Sequence, residues 1–263
     1  MQEIEIYQVD AFSNKLFGGN PAAVCILETE IEASLMQKIA TENNLAETAF
    51  VVPHEKFASI RYFTPLTEVD LCGHASLASA FVLSKFVQAD RSLFKFETLR
   101  SGTISVEVRD DLFALNLPAD ELKDASSETD IIADILGVAP LELYRGRTDI
   151  MAVFEDSRII SQLKPDLNAL AKIDCRGLIA TAPGTKSDFV TRFFAPAIGV
   201  DEDPVTGSAH TTLVPYWAKK LGRTQLLSHQ LSERGGELYC KDLGNRTEVA
   251  GKATLYLKGE VFV

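Results

Sequence analysis

Hydrophobic positions along this chain fall into short runs with a period of two or no period, interrupted by a few longer runs with helical spacing. Ile4-Glu-Ile6-Tyr-Gln-Val9-Asp-Ala-Phe12 alternates and predicts a strand. Phe17-Gly-Gly-Asn-Pro-Ala22 carries Gly-Gly and Asn-Pro punctuation and predicts a turn, followed by a continuously apolar strand at Ala23–Leu27. Leu35, Met36 and Ile39 have helical spacing, so Ile31 to Asn43 reads as a helix. Thr48–Val52 and Arg61–Phe63 read as strands. From Ala75 to Val87 the pattern changes: apolar side chains cover nearly the whole circumference of a helix, which predicts a helix surrounded on all sides. Short strands follow at Lys95–Leu99, Thr103–Val108 and Leu112–Leu117.

The same programme then recurs. Residues 119–129 are polar and acidic and read as a linker. A helix is expected at Asp130–Gly137, strands near Leu141–Tyr144 and Ile150–Phe154, a helix near Leu167–Ile173 and a strand at Gly177–Thr181. Arg192-Phe-Phe-Ala-Pro-Ala-Ile-Gly-Val-Asp201 copies Arg61-Tyr-Phe-Thr-Pro-Leu-Thr-Glu-Val-Asp70, at an offset of 192 − 61 = 131. Cys72 falls on Asp203. Three further residues raise the offset to 207 − 73 = 134, so that Gly73 matches Gly207 and His74 matches Ser208, and a second helix is expected over Ser208–Gly222. Upstream, Leu45-Ala-Glu-Thr48 matches Leu178-Ile-Ala-Thr181 at 178 − 45 = 133, which sets Glu47 against Ala180. A period this long exceeds the roughly 20–50 residues of a solenoid unit. Chance similarity in strand-rich sequence is the competing reading; four blocks in the same order, the fourth Arg100-Ser-Gly102-Thr-Ile104 against Arg234-Gly-Gly236-Glu-Leu238, favour two homologous domains. The expected fold is α+β: two pseudo-symmetric domains, 1–118 and 130–263, each a curled, mostly antiparallel sheet wrapped around a central apolar helix. The last alternating segments, Glu248–Ala250 and Ala253–Leu257, close a sheet, and the final strand is a candidate to cross to the first domain.

Composition narrows the partners. The 263 residues are 46% hydrophobic and 24% charged, with a net charge of −11. That excess of acid argues against nucleic acid and anionic membrane surfaces, which call for Lys and Arg. A small anionic substrate stays compatible, because a local pocket can oppose the overall sign. Cys25, Cys72, Cys175 and Cys240 form no C-x-x-C pair, so neither a zinc pattern nor a disulfide framework is expected, and a reducing cytoplasm is the default. No signal peptide or membrane-length apolar run is evident.

The chemistry is expected where the two halves disagree. An acid (Glu47), an imidazole (His74), a second carboxylate (Asp203) and a hydroxyl (Ser208) would surround one cavity if the halves face each other. The helix starts at Gly73 and Gly207 offer backbone N–H groups to an anion. The four histidines show no metal spacing and no G-x-G-x-x-G follows a strand, so neither a metal nor a nucleotide cofactor is expected. Proton transfer needs neither; it needs a carboxyl within reach of a C–H bond. Plainer readings stand beside these: Glu47 as a surface acid at a strand mouth, Cys72 as a small buried hydrophobe, His74 as a neutral first-turn donor, Asp203-Pro204 as a turn, Ser208 as a helix cap.

Gly19-Asn20-Pro21-Ala22, Asn44-Leu-Ala-Glu47-Thr48-Ala49-Phe50, Asp70-Leu-Cys-Gly73-His74-Ala75 and Glu202-Asp203-Pro204-Val-Thr206-Gly207-Ser208-Ala209 together resemble the PhzF-like (phenazine biosynthesis) family, in order and over nearly the full length. That family is related to diaminopimelate epimerase. The resemblance implies a cofactor-free isomerase, usually a homodimer, of the trans-2,3-dihydro-3-hydroxyanthranilate isomerase type. It implies that Glu47 is the general acid/base, that His74 and Asp203 line the pocket, and that Ser208, Gly73, Gly207 and more weakly Asn20 hold the substrate. The related epimerases use a cysteine from each half. Here Cys72 keeps the first, but Asp203 stands at the second, which makes amino-acid epimerisation the secondary expectation. A catalytically silent small-molecule binding protein is the third.

Overall fold

A computed structural model describes residues 2–263. Strands and helices follow in the order β1 (Glu3–Ala11), β2 (Asn20–Ile26), α1 (Ala33–Asn43), β3 (Glu47–Pro53), β4 (Ala58–Phe63), β5 (Glu68–Val69), α2 (Gly73–Val82), β6 (Leu93–Thr98), β7 (Thr103–Arg109) and β8 (Leu112–Pro118). Then come β9 (Lys123–Asp124), α3 (Thr129–Leu136), β10 (Glu142–Arg145), β11 (Asp149–Val153), α4 (Ser157–Gln162), α5 (Leu167–Leu170), β12 (Gly177–Pro183), β13 (Phe189–Ala195), β14 (Val200–Asp203), α6 (His210–Leu221), β15 (Gln225–Gln230), β16 (Gly236–Asp242), β17 (Arg246–Gly251) and β18 (Ala253–Phe262). The chain divides into two compact units. One runs to Asn116 and takes back Ala250–Val263; the other is Leu117–Val249. Among the described residues no helix is long and apolar enough to cross a membrane.

In the first unit β18 lies antiparallel to β1, β1 to β2, β3 to β4 and β4 to β5, while β2–β3 and β4–β6 are parallel. Parallel neighbours need a crossover, and α1 and α2 supply the two. The continuous apolar runs of β2 and β3 follow from this arrangement, because a strand covered on both faces cannot alternate. Ala23, Cys25, Phe50 and Val52 share a core with Met36 and Ile39 of α1. The alternate residues Ala22, Val24, Ala49 and Val51 are fully buried on the other face, and α2 contacts both strands.

Helix α2 is buried at every residue from His74 to Val82. Its serines tolerate this because Ser76 and Ser79 return their hydroxyls to the carbonyls of Cys72 and Ala75, each at 2.7 Å. The predicted helix to Val87 is corrected at its end. Leu83–Val87 forms a π turn, and Phe86 and Val87 emerge at 42% and 40% exposure, with Phe86 stacked on Tyr7. The turn widens the helix by a residue and rotates its last apolar side chains out of the core. The predicted turn through Ala22 is also shorter: Asn20, Pro21 and Ala22 already pair with Ala11, Asp10 and Val9.

The second unit repeats this ladder. β11–β12 is parallel, β12–β13 and β13–β14 antiparallel, β13–β15 parallel and β15–β16 antiparallel. The crossovers are α4 with α5, and α6. A half-buried ion pair is repeated as well: Arg61 grips Glu68 at 2.7 and 2.9 Å beside Phe63, and Arg192 grips Glu202 at 2.7 and 2.8 Å beside Phe194.

The ladders correct one residue of the repeat. In the first unit Phe50 faces Arg61, and in the second Ala180 faces Arg192. Ala180 is therefore the counterpart of Phe50, and the counterpart of Glu47 is Gly177, at 177 − 47 = 130; both strands end in proline, Pro53 and Pro183. No side chain fits at Gly177: a Cβ there would lie 2.4 Å from the Phe193 ring and 2.8 Å from the Phe194 carbonyl oxygen. Because one obstacle is backbone, Gly177→Ala is expected to lower stability by about 1–3 kcal/mol, seen as a lower urea midpoint at unchanged m-value.

Candidate active site

Glu47 opens β3, directly after the turn that ends α1 at Asn44, a residue in the left-handed conformation (φ 49°). Cys72 is extended and precedes the first turn of α2, which Gly73 and His74 begin. These two chain points converge. His74 Nε2 lies 3.2 Å from Glu47 Oε2, and His74 Nδ1 lies 3.4 Å from Cys72 Sγ. The imidazole is 7% exposed and the Glu47 side chain 20%, so the cluster opens to solvent through the carboxyl. Burial lowers the His74 pKa to about 4, leaving a neutral ring at pH 7. The neutral state agrees with expectation, but burial rather than the helix start is its main cause. An ionised carboxyl only accepts, so Glu47 assigns the proton to Nε2 and leaves Nδ1 to accept from the Cys72 thiol.

Asn20 is fully buried at the start of β2. The loop before it is pinned by Asp10, whose carboxylate accepts from the Phe17 N–H at 2.9 Å. Gly19 has φ 66°, and a Cβ there would lie 2.1 Å from the Ala11 carbonyl oxygen, so only glycine allows that approach.

In the second unit Asp203 ends β14, and Gly207 and Ser208 follow in the turn that leads into α6. Asp203 Oδ2 accepts from the Thr206 hydroxyl at 2.6 Å. Gln230 ties the turn to the sheet: its carboxamide donates to the Asp203 carbonyl at 2.8 Å and accepts from the Thr206 N–H at 2.9 Å. Helix α6 begins at His210, two residues later than predicted, and Ser208 does not cap it. The Ser208 hydroxyl instead accepts from Arg176 Nη1 at 2.9 Å.

Arg176 is the functional candidate that pattern reading passed over. It directly precedes Gly177, and its guanidinium clamps Asp149 with two hydrogen bonds, Nε at 2.8 Å and Nη2 to Oδ2. Asp149 is 3% exposed and faces Gly177 across the parallel β11–β12 ladder. Burial alone would lower the arginine's pKa, but the Asp149 hydrogen bonds and charge outweigh it and raise it, so the cation is secure. The signal in the sequence is weak: an arginine before a glycine, with its acid 27 residues upstream.

His210 has a structural role. Its Nδ1 donates to the Thr206 carbonyl at 2.9 Å and its Nε2 accepts from the Ser228 hydroxyl at 2.8 Å. Burial lowers its pKa to about 4. The unfolded chain takes up this proton near pH 6.5 and the folded chain only near 4, so stability is complete above 6.5 and falls as pH drops through that window. At pH 5 the loss is about 2 kcal/mol. Urea unfolding at pH 7 and pH 5 should show a pH-dependent loss smaller by about that amount in His210→Gln.

Each unit thus holds one polar cluster: a buried imidazole between a carboxyl and a thiol in the first, and an arginine-supported hydroxyl on the same turn as an anchored aspartate in the second. The sequence matches the model of the phenazine biosynthesis-like proteins over residues 9–259. This chain belongs to that family. Within it, the chain is 44% identical over 259 residues to a protein described as an uncharacterized isomerase from Pseudomonas aeruginosa, covering 98% of each. It superposes with TM-score 0.95 and 40% identity on the crystal structure of a PhzF-family phenazine biosynthesis protein from Enterococcus faecalis, covering 100% of both chains. A predicted epimerase from Pseudomonas aeruginosa, 17% identical with TM-score 0.78 and covering 99% of both chains, shares the fold. The family's fold is the α+β, epimerase-like architecture expected from the sequence.

Proposed function

We propose that this chain is a cofactor-independent isomerase that moves a proton on a small, cyclic carboxylic acid by general acid–base catalysis. Glu47 is the group that takes and returns the proton. The observation that carries the reading is the 3.2 Å contact between the partly exposed Glu47 carboxyl and the buried, neutral His74. A neutral ring donates one hydrogen bond to the carboxylate without fixing it as a permanent ion pair, so the carboxyl stays able to change protonation state during turnover. Asp203 supports the reaction as a second, pocket-lining carboxylate that carries no migrating proton. Ser208, with the backbone at Gly73 and Gly207, holds the substrate carboxylate, and Asn20 shapes the pocket. The relatives described as isomerases support this reaction class. The motif resemblance adds a homodimer to the proposal, and four cysteines with no disulfide pattern fit a reducing cytoplasm.

The test is an NMR assay of the purified protein, with no added nucleotide, flavin or metal, on trans-2,3-dihydro-3-hydroxyanthranilate and related cyclic acids. The expected product in ordinary water has the mass of the substrate and a relocated double bond. Turnover that needs an added cofactor, or that changes the mass, contradicts the proposal.

A further inference from the structure

Strand β18 has one edge to spare. Its other edge is taken by β1, from Ala11 opposite Ala253 to Glu3 opposite Phe262, and among the described residues no second strand pairs with it. Exposure agrees: Tyr256, Leu257 and Lys258 are exposed in succession, where a strand paired on both edges over a core would alternate. Natural edge strands are usually blunted by proline or by charge, because bare N–H and C=O groups invite another chain. This ten-residue strand has no proline, and its charges are one lysine and one glutamate, Lys258 and Glu260, which cancel.

We propose that this edge is the interface of a homodimer, in which β18 pairs antiparallel with β18 of a second copy about a twofold axis at Gly259. The proposal rests on the homodimer part of the proposed function and on no part of its chemistry.

The hydrogen-bond phase of the strand limits the registers. Gln2 and Val263 exchange both backbone hydrogen bonds, at 2.6 and 2.9 Å, so Val263 turns its N–H and C=O toward β1. In an antiparallel pair such residues alternate with residues whose N–H and C=O point away. Back along the unbroken register, Val261, Gly259 and Leu257 also turn toward β1, while Phe262, Glu260 and Lys258 turn to the spare edge. A symmetric pairing has to set outward-turned residues opposite one another, so the twofold axis passes through a residue. An axis at Lys258 opposes lysine to lysine, and an axis at Glu260 opposes glutamate to glutamate. Only an axis at Gly259 sets Lys258 against the partner's Glu260, twice by symmetry, with both backbone bonds exchanged in each pair. Opposite charges directly across an antiparallel pair attract and like charges repel, so charge selects this register.

The remaining neighbours fit the same axis. The two Gly259 residues form the closer, non-hydrogen-bonded pair, where the missing side chains leave room. Lys258 is already held on its face of the sheet, with its ammonium 5.3 Å from the centre of the Tyr7 ring and 5.4 Å from that of Phe86. On the opposite face Leu257 meets the partner's Val261. Each contact occurs twice, which makes the surface self-complementary, as a twofold dimer requires.

The experiment measures molar mass by sedimentation equilibrium over a dilution series of the full chain, without substrate. Wild-type protein should give the mass of two chains. Lys258→Glu sets glutamate against glutamate and Glu260→Lys sets lysine against lysine, so each alone should weaken dimerisation by about tenfold or more. The double exchange Lys258→Glu/Glu260→Lys restores both pairs and should return the dissociation constant to near the wild-type value. Mixing the two single variants should give a heterodimer, because each glutamate then meets a lysine. Circular dichroism establishes that the variants are folded, and the mixture decides the matter even where the double exchange does not fold. A monomeric wild type leaves the edge to a strand of another protein and overturns the self-pairing together with the homodimer. A dimeric wild type that both single variants leave unchanged, or single variants that stay monomeric when mixed, overturns this interface alone. Because mass is read without turnover, the acid–base reading stands or falls separately.

Discussion

Glu47→Gln is expected to lower kcat/KM by about 10³-fold or more while leaving the fold intact. General acid–base catalysis contributes roughly 10²–10⁴ in rate, and this site offers one carboxyl at the head of β3 and no counterpart in the repeat. Gly177 occupies the equivalent position, and the Phe193 ring and Phe194 carbonyl leave no room there for another side chain. The amide is nearly isosteric and can still accept from His74 Nε2, so the thermal midpoint should shift little. Steady-state kinetics with a melting curve on the same sample check both halves of the statement. Because the amide keeps the contact, a large fall in kcat with a small change in KM would mark a role in the transition state rather than in binding.

Arg176→Met is expected to cost about 3–5 kcal/mol of stability. It strips the partner from Asp149, a carboxylate at 3% exposure, and an uncompensated buried charge is the costly outcome of breaking such a pair. The double variant Arg176→Met/Asp149→Asn should recover much of the loss, because it removes the stranded charge. Arg158→Ala is the contrast: that arginine is 83% exposed in its pair with Asp156, and its loss should stay within about 1 kcal/mol. Urea unfolding of the four proteins measures all three differences. Arg176→Met also removes the donor to the Ser208 hydroxyl, so activity lost in the folded fraction would link the pair to the turn we propose holds the substrate.

Periodicity made the strands and the central helix of the first half legible, because each has a burial pattern that only one secondary structure satisfies. The duplication was legible through its anchors, Arg61 and Arg192, whose ion pairs with Glu68 and Glu202 are physically the same device. Where anchors were missing, alignment slipped. Thr48–Val52 and Leu178–Ala182 are both runs of small and apolar residues, so a displacement of three goes unnoticed in sequence and shows only as register against β4 and β13. The end of the central helix misled for a related reason. Phe86 and Val87 keep an apolar pattern, and hydrophobicity alone does not register a π turn. Glu47, His74, Asp203 and Ser208 were legible as motif residues. The Arg176–Asp149 clamp was not, since it is created by the parallel pairing of β11 with β12. Nor was the approach of the Cys72 thiol to the His74 ring, since Cys72 reads in sequence as a small buried hydrophobe.

The central claim is that one carboxyl handles the migrating proton. It is tested most directly by following a deuterium placed on the donating carbon of the substrate through a single turnover in ordinary water. A single shuttling carboxyl predicts that a measurable part of the label reaches the accepting carbon of the same molecule, and that Cys72→Ala preserves this transfer. Complete replacement of the label by solvent hydrogen, together with loss of activity in folded Cys72→Ala, would require a second base and contradict the account.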